Sequence, residues 1–412
     1  MFNIYAILII TMMLTKFALD LTANLLNLRT LKRNLPDEFS GVFNVESYKK
    51  SQDYTRTNTK FQMIELTFGF ALILVFWFGG GFGTLDSYIR SWNFPEIWTG
   101  LLYIGILTLG NALIFLPFSI YHTFVIEERF GFNRTTPKTF ILDLLKMLAL
   151  GILLGGALLA SVLYLFQYGG GLAWIYAWLA VALFSLIVSF LGPRLLMPIF
   201  LKFTPLEEGE LKKSIMDLAE KLNFPVSGIY VIDGSRRSSK TNAFFTGFGK
   251  HKRIALFDTL IAKQTIPELV SVLAHEIGHY KKRHMITGLV LGILQTGLML
   301  FLFSYFLLIT EFFTAFGLNQ PSVYAGLIIF FLAYSFLGRI ESVLMNILSR
   351  KHEYEADVYA AKNTKNPEIM ISALKKLSLD NLSNLEPHPF YVFLNYSHPP
   401  VLERIRTLRK MI

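Results

Sequence analysis

Seven long apolar segments constrain this chain more strongly than any other feature of its sequence. A helix of about 20 apolar residues is long enough to cross the hydrocarbon core of a bilayer. Only 17% of the residues are charged and the mean hydropathy is +0.46, so we expect an integral membrane protein. The segments run near residues 3–27, 62–82, 98–121, 147–167, 172–192, 285–309 and 323–347. They predict a mainly α integral membrane protein with seven transmembrane helices.

The N-terminal segment is expected to be retained as the first membrane helix. It lacks the basic start and the small-residue cleavage site of a signal peptide. The chain carries a net charge of +10, and its Lys and Arg residues collect in alternate loops. Because cytoplasmic loops are the basic ones, this alternation places the N-terminus outside and segment 193–284 and the C-terminal tail inside. The same distribution explains the charge without a nucleic-acid partner, since no basic motif with interleaved aromatic residues accompanies it.

The apolar segments divide the chain into four parts. Residues 1–192 hold the first five membrane helices, 193–284 form a soluble α+β segment, 285–347 hold two more membrane helices, and 348–412 form a helical tail. Within the soluble segment the pattern predicts a helix at 206–222 and strands at 229–233, 242–246 and 253–257, with Gly247 and Gly249 in the last turn. Asn242, Ala243 and Phe244 are expected to form an edge strand that pairs with an extended peptide. The alternative is an ordinary strand of a small sheet.

Five ionisable residues lie within the predicted membrane helices. They are Lys16, Asp20, Glu65, Arg339 and Glu341. Charged groups are costly in lipid, so these side chains should face the interior of the helix bundle or water. For Glu65 the alternative is a position at the end of its helix, from which the side chain reaches the interface. Together the five groups suggest a hydrated interior cavity.

The sequence His275-Glu276-Ile277-Gly278-His279 predicts a metal site just before the sixth membrane helix. Two His four residues apart project from one face of a helix, so both imidazoles can bind one ion while Glu276 remains free to act as a base. A capping box formed by Thr265 and Glu268 supports a helix from residue 267 to about 284. Because the chain has no Cys, any metal must be held by His, Asp or Glu. The plain alternative is a pair of surface His on an amphipathic helix.

A catalytic zinc needs a third protein ligand. The candidates are His284, Glu353 and His398, and we favour Glu353 because it follows the seventh span, which returns to the same membrane face. His284 is expected to lie on a different helix face, at the membrane interface. Asp357 is one turn beyond Glu353 and can orient a ligand His from behind.

Two neighbours of Glu353 complete this interpretation. Ala356 is small and permits close packing against the first metal-binding helix. Glu355 points to another side of its helix and is expected to be solvated.

H-E-I-G-H at 275–279, followed by S-R-K-H-E-Y-E-A-D at 349–357, resembles the M48 metallopeptidases. Further stretches make the resemblance closer to the Ste24-type CAAX prenyl proteases. They are I-E-E-R-F-G-F-N at 126–133, F-T-P-L-E-E-G-E-L at 203–211, G-S-R-R-S-S-K-T-N-A-F-F at 234–245 and S-H-P-P at 397–400. The resemblance implies a seven-helix barrel around a water-filled chamber, with a zinc-protease subdomain whose metal site lies inside it.

The resemblance also assigns roles to the site residues. It implies Zn²⁺ on His275, His279 and Glu353, and Asn242-Ala243-Phe244 as the strand that pairs with the substrate. Glu276 is then the general base, and His398 reaches into the site to stabilise the oxyanion, with Arg404 nearby in sequence. The alternative for His398 is a residue that leads into a helix before two prolines.

The implied substrate is a peptide or protein with a prenylated C-terminal CAAX sequence. The chain is somewhat shorter than the eukaryotic members, which suits a bacterial relative in an inner membrane; a eukaryotic member would lie in the endoplasmic reticulum. Two alternatives stay open. One is a general quality-control protease of membrane proteins. The other is a non-catalytic transporter or binding protein locked by zinc, which would need a fourth protein ligand. The sequence carries no signal for the oligomeric state.

Overall fold

The computed structural model describes residues 3–31, 34–246 and 252–411. The predicted turn at Gly247 and Gly249 lies outside the described residues. In the described part, seven helices are long and apolar enough to cross a membrane, which confirms the predicted number. They span Ile4–Arg29, Val45–Phe78, Glu96–Glu127, Pro137–Tyr168, Gly170–Phe200, His284–Phe306 and Val323–Thr364.

Several of these helices extend far beyond the predicted apolar segments. The second begins at Val45 rather than at residue 62, and the seventh continues to Thr364 rather than ending near 347. Hydropathy marks the part of a helix that lies in lipid, whereas the helix itself ends only where its backbone is capped. The seventh helix therefore carries the predicted metal-binding region as a continuation of its membrane span.

The described helices and strands are numbered in chain order. The helices are α1 (Ile4–Arg29), α2 (Val45–Phe78), α3 (Gly81–Arg90), α4 (Glu96–Tyr121), α5 (Pro137–Leu150), α6 (Gly156–Tyr168), α7 (Ala173–Leu191), α8 (Met197–Phe200), α9 (Glu210–Lys221), α10 (Asp258–Ile261), α11 (Ile266–Lys281), α12 (His284–Phe306), α13 (Thr310–Ala315), α14 (Val323–Thr364), α15 (Pro367–Asp380), α16 (Pro389–Asn395) and α17 (Val401–Arg409). The strands are β1 (Phe203–Pro205), β2 (Val226–Ile232), β3 (Ala243–Thr246) and β4 (Lys252–Phe257).

The membrane helices form a closed ring. Around it, α1 packs on α14, α14 on α12, α12 on α7, α7 on α6, α6 on α4, and α2 on α1. The ring closes where α2 meets α4, with Phe68 and Phe115 ring centroids 5.7 Å apart and Phe61 and Phe118 5.9 Å apart. In six of the seven spans no more than 17% of the most apolar window is buried. Such low burial fits a wall one helix thick with two exposed faces, as a barrel around a chamber requires.

A polar cluster ties the ring together at the end remote from the sheet. The Asp86 carboxylate receives hydrogen bonds from Tyr324 on α14 and from Arg90, whose guanidinium also contacts Glu96 at 3.2 Å. Nearby, Trp77 Nε1 donates to the backbone oxygen of Ala315 at 2.8 Å. Because every buried charge here has a partner, the cluster avoids the cost of an isolated charge in a low-dielectric setting.

The ionisable residues within the spans are paired or line an interior space. Asp20 accepts hydrogen bonds from Lys16, at 3.0 Å, and from Arg339 across the α1–α14 contact. Glu341 accepts from Gln295 on α12 at 2.6 Å. Glu65 lines a cavity of about 480 Å³ between α1, α2 and α14, together with Lys16. All five groups thus face neighbouring helices or this cavity.

The soluble segment contains a four-stranded sheet in the order β1-β2-β4-β3. β2 and β4 are parallel, and the two outer strands are antiparallel to their neighbours. The predicted helix at 206–222 is wrong at its start: Phe203–Pro205 forms β1, and the Leu206 N–H donates to Ile229 O at 2.9 Å, so the helix begins only at Glu210. β1 itself is missing from the predicted set of strands.

β3 is an edge strand, as the sequence predicts, and a loop network holds the segment before it in place. Ser239 N donates to Phe132 O at 3.0 Å, and Asn133 forms a β-bridge with Ser238. The Lys240 ammonium contacts the Glu127 carboxylate at 2.8 Å. Two of the stretches that carry the family resemblance, 126–133 and 234–245, therefore bind each other and fix the approach to β3.

α11 carries the His-Glu-His motif and begins with the predicted capping box, in which Glu268 accepts from Thr265 N at 2.8 Å. The prediction that this helix continues to residue 284 is wrong. The helix ends at Lys281, and Arg283 adopts a left-handed conformation with φ of 60°. The chain therefore turns sharply before α12 begins at His284.

α11 packs on α14 at very short range. A Cβ added to Gly278 would lie 3.1 Å from the backbone Cα of Ala356, so both positions require small residues. This contact, anticipated for Ala356, brings α11 onto the part of α14 that follows the seventh membrane span.

Candidate metal centre

Three side chains converge where α11 meets α14. The Nε2 atoms of His275 and His279 are 3.1 Å apart, and the Glu353 carboxylate oxygens lie 3.5 Å from the first and 3.3 Å from the second. Four ligands at the usual zinc–ligand distances of 2.0–2.1 Å would be about 3.3 Å apart around a tetrahedral ion. The distance between the two Nε2 atoms is close to this value, and each of these atoms approaches one Glu353 oxygen at a similar distance.

The hydrogen-bond pattern supports a cation at this point. Two facing Nε2 atoms cannot both carry hydrogen. The Glu353 Oε2 atom is buried without a well-formed hydrogen bond among the described residues, and its nearest charged neighbour is the Arg404 guanidinium, with Nη1 at 3.4 Å. A cation bound between the three side chains would satisfy this oxygen more fully than the distant guanidinium does. Only His275, His279 and Glu353 form a group of this kind within the described ranges, and their ligand atoms lie within 4.8 Å of one another.

His275 is oriented from behind by a carboxylate. Its Nδ1 atom lies 2.9 Å from Asp357 Oδ1, which fixes the proton on Nδ1 and turns Nε2 toward the metal position. Arg404 in turn holds both Asp357 oxygens, at 2.6 and 2.8 Å. Although burial lowers the pKa of His275, its hydrogen bonds to Asp357 and Glu353 raise it to about 9. These carboxylates stabilise positive charge at the imidazole, as a bound cation would also require.

His279 is oriented from behind by a second imidazole. Its Nδ1 atom lies 3.0 Å from His284 Nδ1, and His284 Nε2 lies 3.1 Å from Glu355 Oε2. With metal on His279 Nε2, the network assigns a proton to His279 Nδ1, which donates to His284 Nδ1, while His284 Nε2–H donates to Glu355. The expectations for these two residues are therefore wrong. His284 is buried beside the site rather than interfacial, and Glu355 is its half-buried partner rather than a solvated side chain.

Glu276 lies on the open side of the three ligands. Its side chain lines a cavity of about 450 Å³ together with His279 and Phe244. Burial raises the pKa of Glu276, opposed by the two neighbouring imidazoles. A carboxylate in this position can accept a proton from water entering between the cavity and the ligands.

His398 also contacts Glu353. Its Nε2 atom is 3.3 Å from Glu353 Oε1, and its side chain is 65% exposed. Ser397 Oγ lies 2.9 Å from Nδ1, and a hydrogen bond donated by this hydroxyl leaves the imidazole proton on Nε2. The structure thus brings His398 to the open face of the site, where an N–H donor is available. Arg404 lies behind the ligands instead, against Asp357.

β3 lies alongside α11 at the edge of the sheet. Ala243 pairs with Leu256 of β4, and Phe244 lines the cavity beside Glu276. Asn242 precedes the strand, and its Oδ1 accepts a hydrogen bond from Ala243 N at 2.8 Å. The second edge of β3 pairs with no other strand in the part of the chain that the structure describes.

Sequence reasoning found Asp357 behind His275 but missed the other residues that support the candidate ligands. Arg404 was marked only for its closeness in sequence to His398, and nothing in local spacing connects it to Asp357. His284 is expected from the sequence at the membrane interface, and Glu355 is expected to be solvated. The signal that could have found them is the requirement that a metal-bound His donates its second N–H to a partner.

Comparisons with known proteins identify the family of the chain. A family model described as the CAAX prenyl protease N-terminal region with five membrane helices matches residues 24–202, and the model of peptidase family M48 matches residues 205–412. The chain is 35% identical to the CAAX prenyl protease 1 homolog of Arabidopsis thaliana, over 97% of this chain and 96% of that protein. It is 34% identical to CAAX prenyl protease 1 of Saccharomyces cerevisiae, over 91% of this chain and 88% of that protein.

The fold is similar to a solved structure as well. The crystal structure of S. mikatae Ste24p matches with a TM-score of 0.93 and 32% sequence identity, covering 99% of this chain and all of that one. This similarity confirms the seven-helix membrane architecture with its small sheet.

The hydrogen bond between His279 Nδ1 and His284 Nδ1 can be tested by mutation. His284→Leu removes the acceptor for His279 Nδ1–H and is expected to weaken metal binding by about 10–100-fold, measured by competition with a chelator. His284→Gln keeps an acceptor oxygen and should retain part of the affinity. His122→Leu, remote from the site, is the control. Unchanged metal affinity in His284→Leu would contradict the role of this hydrogen bond.

Proposed function

Because the chain belongs to peptidase family M48 and is a membrane-embedded metalloprotease, we propose that His275, His279 and Glu353 bind zinc and that the site hydrolyses peptide bonds. The observation that carries the proposal is the convergence of the three side chains: the two Nε2 atoms are 3.1 Å apart, and each lies within 3.5 Å of one Glu353 oxygen. Imidazole and carboxylate ligands without thiolate also suit zinc in a hydrolase.

The chain's own residues would act around the ion as follows. Zinc, when bound, supplies Lewis acidity that polarises a carbonyl and acidifies water. Glu276 accepts the proton of the attacking water and returns it to the nitrogen of the leaving amine. Burial raises the pKa of Glu276, and a group that accepts and then donates a proton works best when its pKa lies close to the working pH.

His398 is the proposed donor to the oxyanion that forms when water adds to the scissile carbonyl. Its Nε2–H lies on the open face of Glu353, and a well-placed donor of this kind contributes about 3–4 kcal/mol to transition-state stabilisation. Asp357, fixed by Arg404, would keep the His275 imidazole in the orientation that metal binding requires.

The substrate would bind as an added strand. The unpaired edge of β3 can form backbone hydrogen bonds with an extended peptide, and Asn242, Ala243 and Phe244 are the residues proposed to hold it. Since β3 lies alongside α11, a peptide paired there would pass close to Glu276.

We also propose the division of the chain into four parts, with boundaries after residues 192, 284 and 347.

A zinc-locked transporter or binding protein is the second functional class. Such a structural site would be closed by a fourth protein ligand. Among the described residues the group of mutually close ligand atoms has three members, and His398 is not one of them. An open fourth position favours catalysis over a structural lock.

The first test is Glu276→Gln. This variant should bind zinc as the wild type does, because Glu276 is not a ligand, and should lose hydrolysis by about 10²–10⁴-fold because the base is gone. The measurement combines metal content with cleavage of a fluorogenic peptide by protein in detergent. Removing the metal with a chelator should abolish the remaining activity, and adding zinc should restore it in the wild type.

Two further variants sharpen this experiment. Glu368→Gln, the same change at an exposed position of α15, should leave hydrolysis unchanged. His398→Ala should lower kcat by about 10²–10³-fold with KM and zinc content unaltered, and His398→Gln should recover part of the rate because it keeps an N–H donor. Full hydrolysis by Glu276→Gln would exclude the assigned mechanism.

The proposed substrate is a peptide with a prenylated Cys in a C-terminal CAAX sequence, as the names of the relatives suggest. Cleavage after the Cys should be at least about tenfold more efficient, in kcat/KM, for the prenylated peptide than for the same peptide with a free thiol. The physical reason is burial of the prenyl chain, which contributes about 0.8 kcal/mol per methylene group. Equal efficiencies would favour the quality-control protease instead.

The proposed topology places the site on the cytoplasmic side, in the endoplasmic reticulum of a eukaryote or the inner membrane of a bacterium. The basic loops favour this orientation. Because the chain has no Cys, a single Cys introduced at exposed Glu368 provides a clean label. In sealed cells or right-side-out vesicles it should react with a membrane-permeant maleimide and resist an impermeant one. Labelling by the impermeant reagent would show that the site lies on the opposite side of the membrane.

A further inference from the structure

An apolar groove, the α1–α2 groove, runs between the first two membrane helices and encloses about 750 Å³. Its walls come from Leu25 and Leu28 on α1 and from Met63, Ile64, Phe68 and Ala71 on α2. Lys60 lines one end of it. From Lys60 to Ala71 the groove follows about 16 Å of helix, roughly half of the 30 Å hydrocarbon core of a bilayer. Its length therefore matches the depth of one leaflet.

The α1–α2 groove lies on the outer face of the helix ring. Glu65 and Gly69 of α2 line the interior cavity that Lys16 also lines. Because an α-helix turns by about 100° per residue, these two positions project from the side of α2 opposite to the groove. Ile64 and Phe68, which line the groove, are 61% and 40% exposed. The groove is therefore open to the lipid of the membrane.

A second cavity, the α2–α4 pocket, adjoins the groove and encloses about 460 Å³. Lys60 and Ile64 line both spaces, so the two are continuous. Thr57 and Tyr121 also line the pocket and bring two hydroxyl groups to it. Lys60 comes just before the apolar part of α2, and the proposed topology places this end of the helix at the cytoplasmic surface. The pocket thus lies at the level of the lipid headgroups.

The charges around Lys60 favour an anion. Lys60 is exposed and forms no salt bridge with a described residue, and among the described residues no acidic side chain lines the groove or the pocket. Arg56 lies one turn nearer the cytoplasm on the same face of α2, and Asp53 contacts it at 3.7 Å. A zwitterionic headgroup would bring its own cation toward Lys60 and Arg56, whereas an anionic headgroup would not.

We propose that the α2–α4 pocket and the α1–α2 groove together bind one anionic phospholipid of the cytoplasmic leaflet. Lys60, Thr57 and Tyr121 would hold its phosphate, and one acyl chain would lie along the groove as far as Ala71. Basic pockets between membrane helices on the cytoplasmic side are suited to such headgroups. The inference goes beyond the proposed hydrolysis and does not depend on it. A prenyl chain would also fit an apolar groove, but it carries no negative charge to engage Lys60.

Photocrosslinking tests this site. The protein is reconstituted into phosphatidylcholine vesicles that contain a phosphatidylserine with a diazirine on its acyl chain, or the corresponding phosphatidylcholine at the same mole fraction. Crosslinked peptides are mapped by mass spectrometry. The phosphatidylserine should label residues 25–28 and 63–71 about fivefold more than the phosphatidylcholine, since one Lys at the membrane surface favours an anionic lipid by about this factor. Lys60→Gln should remove the preference, and Lys60→Arg should keep it.

Lys138→Gln is the matched control. Lys138 is exposed at the start of α5, on the same proposed face of the membrane, and lines neither the groove nor the pocket. This variant should keep the wild-type preference. Equal labelling by the two lipids, or a preference that Lys60→Gln leaves intact, would overturn the lipid site. Labelling of the same residues by a farnesylated peptide with a diazirine, without a preference for phosphatidylserine, would overturn it in favour of a substrate chain.

Discussion

The close contact between α11 and α14 is the interaction on which the rest of the site depends. Gly278 and Ala356 allow the two helix backbones to approach, and this brings Glu353 within 3.5 Å of the imidazoles of His275 and His279. An added Cβ at Gly278 would already lie 3.1 Å from the backbone of Ala356, so a larger side chain there would push the two helices apart. The small residue inside the His-Glu-His motif is therefore a packing requirement, and metal geometry follows from it.

The ring of membrane helices gives this contact its setting. α14 belongs to the wall and also carries Glu353 and Asp357, so the candidate ligand Glu353 and the carboxylate behind His275 continue directly from a membrane span. Paired charges such as Asp20 and Arg339 fix α14 against α1 without leaving an isolated charge in lipid. The loop network at Glu127 and Lys240 fixes the approach to β3 on the other side of the site. A rigid wall and a tethered edge strand together would hold a peptide in register with the ligands.

The sequence predicted the parts of this structure that depend on local pattern. Apolar length predicted the seven spans, and helical spacing predicted that His275 and His279 lie on one face of a helix. The expected continuation of span seven as a helix predicted Glu353 as the third candidate ligand. The helix ends were harder: polar residues outside the membrane extend α2 back to Val45, and α14 runs on to Thr364. The end of α11 before Arg283 was missed because nothing in the local sequence indicates that Arg283 adopts a left-handed backbone conformation. Arg404, 47 residues after Asp357, could be placed only by the packing of α17 on α14.

The corrected position of His284 connects the metal ligands to the cavity. The same imidazole receives the Nδ1–H of His279 and lines the space beside Glu276. His275, in contrast, is supported on the buried side by Asp357 and Arg404, away from that space. One imidazole is therefore supported by a buried charged pair, and the other by a residue that lines the cavity. Because a metal-bound His depends on the partner of its second nitrogen, the wall of the cavity and the support of His279 share one residue, His284.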